Sequence, residues 1–139
     1  MEKIINLTRY PVTEEQKAEG AVEAEAREKV LELLTFQIAP GVMRITGVAL
    51  ALASIAYSEG AKKAAIGGPA FLTSALEAAL IANGIVPVYP YYKTAEVTKT
   101  QKDGSTVRGV VALHIAYVES VRTQEKRKRE ELDKRWDKV

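Results

Sequence analysis

An α/β fold is what this sequence predicts: helices on a mainly parallel sheet, with an antiparallel C-terminal hairpin and a charged helix behind it. Three observations carry the prediction. Short apolar runs alternate with amphipathic stretches along most of the chain, the pattern of strand–helix–strand units. One stretch, "AAIGGPAFLTSALEAALIANGIVPVYPYY", holds a complete unit: strand, Gly67-Gly68-Pro69 turn, helix, glycine exit and second strand. Finally, "AEVTKT" and "STVRGVVALHIAYVE" face each other across Lys102-Asp103-Gly104-Ser105, a hairpin signal.

Each element has its own local reason. "KIINLT" is a first strand, with Ile4, Ile5 and Leu7 in a short apolar run. "TEEQ" is a capping box, Thr13 accepting from the Gln16 amide while Gln16 reaches back, and Gly20 closes the short helix. "EAEAREKVLELLTF" reads as a second helix, with Val30, Leu33 and Leu34 on one side, until Pro40-Gly41 breaks it. From Val42 to about Glu59 an Ala-rich helix turns Ile45, Val48, Ala49, Leu52, Ile55 and Ala56 to one broad face, and Gly60 caps it. "KKAAIGG" is the second strand, and Pro69 suits the first position of the next helix, where a missing N–H costs nothing. That helix turns Leu72, Leu76, Ala79 and Leu80 inward and leaves through Asn83-Gly84, with Ile85 as an apolar clasp. "IVPVYPYY" is a third strand, whose prolines 87 and 90 favour strand ends or a sheet edge. The tail "VRTQEKRKREELDKRWDKV" is a charged helix with little apolar face beyond Leu132 and Trp136. Residues 1–119 are thus expected to form one domain and residues 120–139 a charged helix or tail.

Composition narrows the function classes. The 139 residues suffice to bury a core without staples. Twenty basic residues against 18 acids leave a net charge of +2, which does not call for a long nucleic acid as partner. The absence of cysteine excludes disulfides, thiolate metal sites and a cysteine nucleophile, and fits a reducing cytoplasm. The most apolar stretch, "GVMRITGVALALASIAYSEG", contains Arg44 and falls short of the roughly 20 apolar residues a membrane span needs. A soluble cytoplasmic protein is expected.

In a parallel sheet, ligands bind beyond the carboxyl ends of the strands. That rim comprises Asn6 to Tyr10, Gly67 to Phe71 and Tyr89 to Thr94. At the Gly-Gly-Pro turn, the Gly67 and Gly68 amides stand at a helix N-terminus, a setting that attracts anions, and Thr73 and Ser74 add hydroxyls. Equally, two glycines let strand and helix approach closely. "NLTRYP" gathers Asn6, Thr8, Arg9 and Tyr10, suited to a phosphate and a base, or else forms a turn into a capped helix with Arg9 in solvent. "YPYYKT" sets Tyr92 beside Lys93, an aromatic to stack a base and a cation to hold a backbone, while Tyr89 and Tyr91 suit the core. His114, the only histidine, fits a structural hydrogen bond better than catalysis, and no cofactor or metal set stands beside it.

Taken in order, these motifs resemble the small stand-alone CRISPR-associated ring nucleases, relatives of the Rossmann-like domains that sense cyclic oligoadenylates. "NLTRYPVTEEQ", "AAIGGPAFLTSAL", "NGIVPVYPYYKTAEV" and "VVALHIAYVE" carry the resemblance, over roughly residues 4–119. It implies a Rossmann-like sandwich and a symmetric homodimer whose strand rims face each other. It implies, too, metal-free cleavage of cyclic tetra-adenylate by attack of a ribose 2′-OH. The resemblance then casts Gly67, Gly68 and Ser74 as phosphate holders, Arg9 and Lys93 as electrostatic stabilisers, and Thr8 and Asn6 as ribose-orienting groups. Tyr10 belongs to the same ligand-binding cluster, Tyr92 stacks an adenine, and His114 is an acid–base candidate. Two other classes fit the same residues: a binder without chemistry, and an oligomeric interaction protein with an empty rim.

Overall fold

The computed structural model describes residues 2–137. In chain order they form β1 (Ile4–Asn6), α1 (Glu14–Ala18), β2 (Ala21–Glu23), α2 (Arg27–Leu33), α3 (Val42–Ser58), β3 (Lys63–Ala65), α4 (Ala70–Ala82), β4 (Val86–Thr100), β5 (Thr106–Glu119) and α5 (Val121–Asp137). One sheet runs in the order β2-β1-β3-β4-β5, parallel through β4 and antiparallel at β5. This is the α/β architecture that the apolar runs predict, Rossmann-like in its layering. Met1 of the expected domain, and Lys138 and Val139 of the expected charged tail, lie outside the described residues.

Strand alternation divides the core into two unequal parts. Ile5 and Ala64 face one side, where Val30 and Leu34 of the α2 region, Leu52 of α3, and Leu72, Leu76 and Leu80 of α4 bury against them. Ile4, Ala21, Ala65 and Val88 face the other side, a thin layer completed by Val12, Val86 and Tyr117. The short helix α1 lies on this thinner side, held by the Thr13–Gln16 capping box. Helix α4 ends as expected: Gly84 takes a positive φ of 72°, and the Ile85 amide donates to the Leu80 carbonyl at 2.9 Å.

Four expectations need correction. The stretch from Glu23 is not one helix: Ala21–Glu23 pairs in parallel with β1 as an edge strand, and α2 begins only at Arg27. Three residues show no periodicity of their own, so their pairing with Ile4–Asn6 decides their state. Second, "IVPVYPYY" and "AEVTKT" are not two strands but one continuous β4 of 15 residues. Third, Pro69 is the cap residue rather than the first helical one, with an extended ψ of 132°.

The fourth concerns the prolines, which stand inside β4, between β3 and β5, and not at an edge. Each is accommodated because a neighbour has run out. Val86 donates to Lys62, and Val88 accepts from Ile66, so even-numbered residues of β4 face β3. Pro87 therefore faces the β5 side, where β5 has ended and only the Ser120 amide reaches its carbonyl, at 3.1 Å. Pro90 faces the β3 side beyond Ala65; lacking an N–H, it cannot continue the ladder and so ends that pairing.

Past that point β4 and β5 continue alone as a two-stranded ribbon, with one register slip between Tyr91 and Tyr92. Helix α5 is capped by Ser120, whose Oγ accepts from the Thr123 amide. Arg122 ties it to α4 by donating to Ser74 Oγ at 2.7 Å. Farther along, Leu132 and Trp136 are exposed.

Candidate ligand-binding site at the carboxyl rim

Where Pro90 ends the β3–β4 pairing, a cavity of about 610 Å³ opens, within the size range of small-molecule sites. Its walls come from all three rim segments: Thr8, Arg9 and Tyr10 after β1, Ile66 to Pro69 after β3, and Tyr89, Pro90 and Tyr92 on β4. A larger groove of about 740 Å³ lies elsewhere, between α2 and the start of α3, lined by Leu31, Phe36, Ile38 and Pro40 with Arg44 at one end. Glu32, Thr35 and Gln37 also line it, but all its walls come from one stretch, residues 31–44. The rim cavity draws on three separate segments at the carboxyl ends of the strands and is the stronger candidate despite its smaller size.

The loop after β1 owes its shape to Asn6. Its buried Oδ1 accepts from the Thr8 amide at 3.0 Å and the Thr8 hydroxyl at 2.6 Å, while Nδ2 donates to the Tyr10 carbonyl and to Glu23 Oε1, both at 2.7 Å. Thr8 thus spends its hydroxyl hydrogen on Asn6 and keeps only an oxygen lone pair for anything in the cavity. Arg27 fastens the same loop from below, donating to the carbonyls of Thr8 at 2.6 Å and Arg9 at 3.0 Å. Arg9 is exposed, but its guanidinium is braced by donation to the Leu34 carbonyl at 2.8 Å and Thr35 Oγ1 at 3.3 Å.

Among the described residues neither the Gly67 nor the Gly68 amide has a hydrogen-bond partner, and both stand before the first turn of α4. Gly68 holds φ at +136°, a conformation L side chains rarely adopt. Close packing alone does not require Gly67, where an added Cβ would lie 3.7 Å from Thr8 Cγ2, an ordinary contact.

Six of the ten sequence-derived site residues therefore meet at one cavity: Thr8, Arg9, Tyr10, Gly67, Gly68 and Tyr92. Four do not line it. Asn6 builds the loop from within. Ser74 lies in the second turn of α4 and accepts from Arg122, facing α5. Lys93 follows Tyr92 on β4 and points to the opposite face of the ribbon, exposed. His114 is buried behind Tyr92, its ring centroid 5.8 Å from the Tyr92 ring, with Gln16 and Glu19 at its two nitrogens.

The sequence reading missed Arg27 and Glu19. Neither carries a local signal: each is a charged residue on a short helix or at its end, and only the fold brings it to the loop or to His114. No cluster of three or more His, Cys, Asp or Glu side chains positioned for a metal ion occurs among the described residues. Nor is any helix among them long and apolar enough to cross a membrane.

Two tyrosines are held protonated by burial, Tyr89 in the cavity lining and Tyr117 outside it. Burial, followed by donation to Glu77 Oε2 at 2.7 Å, pushes the Tyr89 hydroxyl well above its ordinary pKa. Burial likewise raises Tyr117, seconded by Tyr92, Glu19 and Glu23 nearby. Both therefore remain neutral through the physiological range. In comparisons with known proteins, no family model, no curated protein and no solved structure matches the chain.

Proposed function

We propose that this chain binds a cyclic oligoadenylate at the rim cavity and opens the ring, switching off an antiviral signal of the CRISPR type in the cytoplasm. The observation that carries the reading is convergence. A braced guanidinium, two unpartnered amides at a helix N-terminus and three tyrosines, drawn from three separate segments, surround one space. Those are donors for a phosphate and aromatic faces for a base, which is what a nucleotide presents. The cavity has room for part of a four-nucleotide ring, so a symmetric ring would be shared with a second copy whose rim faces the first.

Ring opening needs little from the protein beyond alignment and charge stabilisation. A ribose 2′-oxygen bonds to the neighbouring phosphorus as the P–O5′ bond breaks. The 2′-hydroxyl proton passes to the departing 5′-oxygen, and a 2′,3′-cyclic phosphate remains. Arg9 with the Gly67 and Gly68 amides bears the phosphoryl charge, the Thr8 oxygen accepts from the ribose hydroxyl, and Tyr10 and Tyr92 stack adenines.

A second reading, retention without cleavage, draws on a different observation. The lone histidine is buried with both nitrogens engaged by protein groups, and the lining residues include no carboxylate or imidazole. Incubating the chain with labelled cyclic tetra-adenylate, without added metal, separates the outcomes. A linear product ending in a 2′,3′-cyclic phosphate supports cleavage, tight retention of intact ring supports the binder, and neither result with rings of two to six nucleotides sinks both. Arg9→Ala that leaves turnover or binding untouched removes the site assignment.

A further inference from the structure

Behind the cavity lies a buried polar cluster that the proposed chemistry does not use. The His114 side chain is 1% exposed, with Nδ1 3.3 Å from Gln16 Nε2 and Nε2 3.2 Å from Glu19 Oε2. The far end of Gln16 decides how its amide is turned. Gln16 Oε1 accepts from the Thr13 backbone N–H at 3.0 Å, completing the capping box, so Nε2 faces both His114 and the Tyr92 hydroxyl, 3.0 Å away. An amide nitrogen only donates. His114 Nδ1 is therefore an acceptor, and the neutral ring carries its hydrogen on Nε2, directed at Glu19. For the same reason the Tyr92 oxygen accepts from Gln16, which leaves the Tyr92 hydroxyl hydrogen free for another partner. Tyr92 lines the cavity.

We propose that His114, acting through Gln16, is a positioning residue that makes Tyr92 a hydrogen-bond donor to a phosphoryl oxygen in the cavity, and that protonating His114 withdraws this donor. The inference rests on the reading of the cavity as a nucleotide site. A proton on Nδ1 sets two donors against each other, so the Gln16 amide turns over and offers Oε1 to His114 and Tyr92. Tyr92 then donates to Gln16 instead of the ligand, and the Thr13 N–H loses its acceptor. The charged and titratable groups around the ring come from three elements and the end of a fourth. Glu19, at the end of α1, is the carboxylate at Nε2, and Glu23 on β2 lies near the neighbouring Tyr117. Tyr92 on β4 and Tyr117 on β5, whose ring centroid is 4.6 Å away, complete the set, and burial keeps Tyr117 protonated.

Two measurements test this independently. Imidazole nitrogen resonances of the ligand-free chain, followed from about pH 8 to about pH 5, report the tautomer and the proton. Expected are an unprotonated Nδ1 and a protonated Nε2 at the alkaline end, with the Thr13 amide exchanging faster once Nδ1 is protonated. A hydrogen on Nδ1 at the alkaline end overturns the relay. Binding of cyclic tetra-adenylate is then compared over the same range. Wild-type affinity is expected to fall about tenfold on acidification, the scale of one hydrogen bond to a charged group. Tyr92→Phe should be about tenfold weaker at the alkaline end and nearly flat with pH. His114→Asn places Oδ1 where Nδ1 stands and does not titrate, so it should bind at acid pH as it does at alkaline pH. A pH dependence in His114→Asn equal to that of wild type overturns the proposal. Should wild type bind at no pH, the nucleotide reading falls and takes the ligand half of the inference with it, while the nitrogen resonances still decide the relay.

Discussion

Asn6, Arg27 and Gly68 shape the rim, and of the three only Gly68 lines the cavity itself. Arg27 holds two loop carbonyls with one guanidinium, and hydrogen bonds to charged groups contribute about 1.5–3 kcal/mol. Arg27→Met should therefore cost about 1–3 kcal/mol by denaturant titration and speed amide exchange at Thr8 to Tyr10. An unchanged loop would show that Asn6 suffices alone. The two glycines should part ways. Gly68→Ala forces a side chain into φ +136° and is expected to lose about 1 kcal/mol or more, whereas Gly67→Ala meets only an ordinary contact and should stay near wild type. Equal losses at both positions would mean that space, not backbone conformation, sets the requirement. The site residues legible in the sequence were those on contiguous rim segments, because a strand end followed by a polar turn announces itself locally. Arg27 gave no such signal, since its partners lie 18 and 19 residues away.

The elements differ in how much of the fold supports them. Strand β3 is flanked by strands on both sides and covered by helices, and it shares a buried core with β1 and β4. The outer part of the β4–β5 ribbon has only two strands, and Val97, Val107, Val110 and Val111 are exposed on it. An isolated two-stranded ribbon is marginal in water. Amides from Ala95 to Thr100 should accordingly exchange far faster than those of Ala64 or Val88. Equal protection would mean that another surface covers the ribbon in solution. The capping box and the Gly84 exit were readable because they need only a few neighbouring residues. The merger of two strands into β4 was not, because Pro87 and Pro90 look like breakers until the neighbours are seen to end beside them.

For the whole molecule, the raised tyrosines predict a response to alkali. In the unfolded chain, tyrosine ionises near its ordinary value of 10.0; in the fold, burial and the Glu77 contact hold Tyr89 protonated beyond that, and burial does the same for Tyr117. The folded state thus keeps protons that the unfolded state releases, so this stabilisation is complete below pH 10.0 and drains away as pH rises past it. The denaturant midpoint should fall above that pH, and by less in Tyr89→Phe. Tyrosinate absorbance should show two of the six tyrosines ionising only as the chain unfolds. Early ionisation of all six would contradict the burial assigned to Tyr89 and Tyr117.

By itself the sequence determined the α/β class, the Thr13 capping box, the glycine exits of the helices, and the three rim segments. Each depends on periodicity or turn chemistry within a few residues. Only the tertiary structure decided that Ala21–Glu23 is a strand, that β4 is continuous, and that Lys93, Ser74 and His114 stand apart from the cavity. It alone joins Gln16 to Tyr92 and His114, 76 and 98 residues away. Pairing partners and hydrogen-bond directions at that separation are properties of the packed sheet, and no local pattern encodes them.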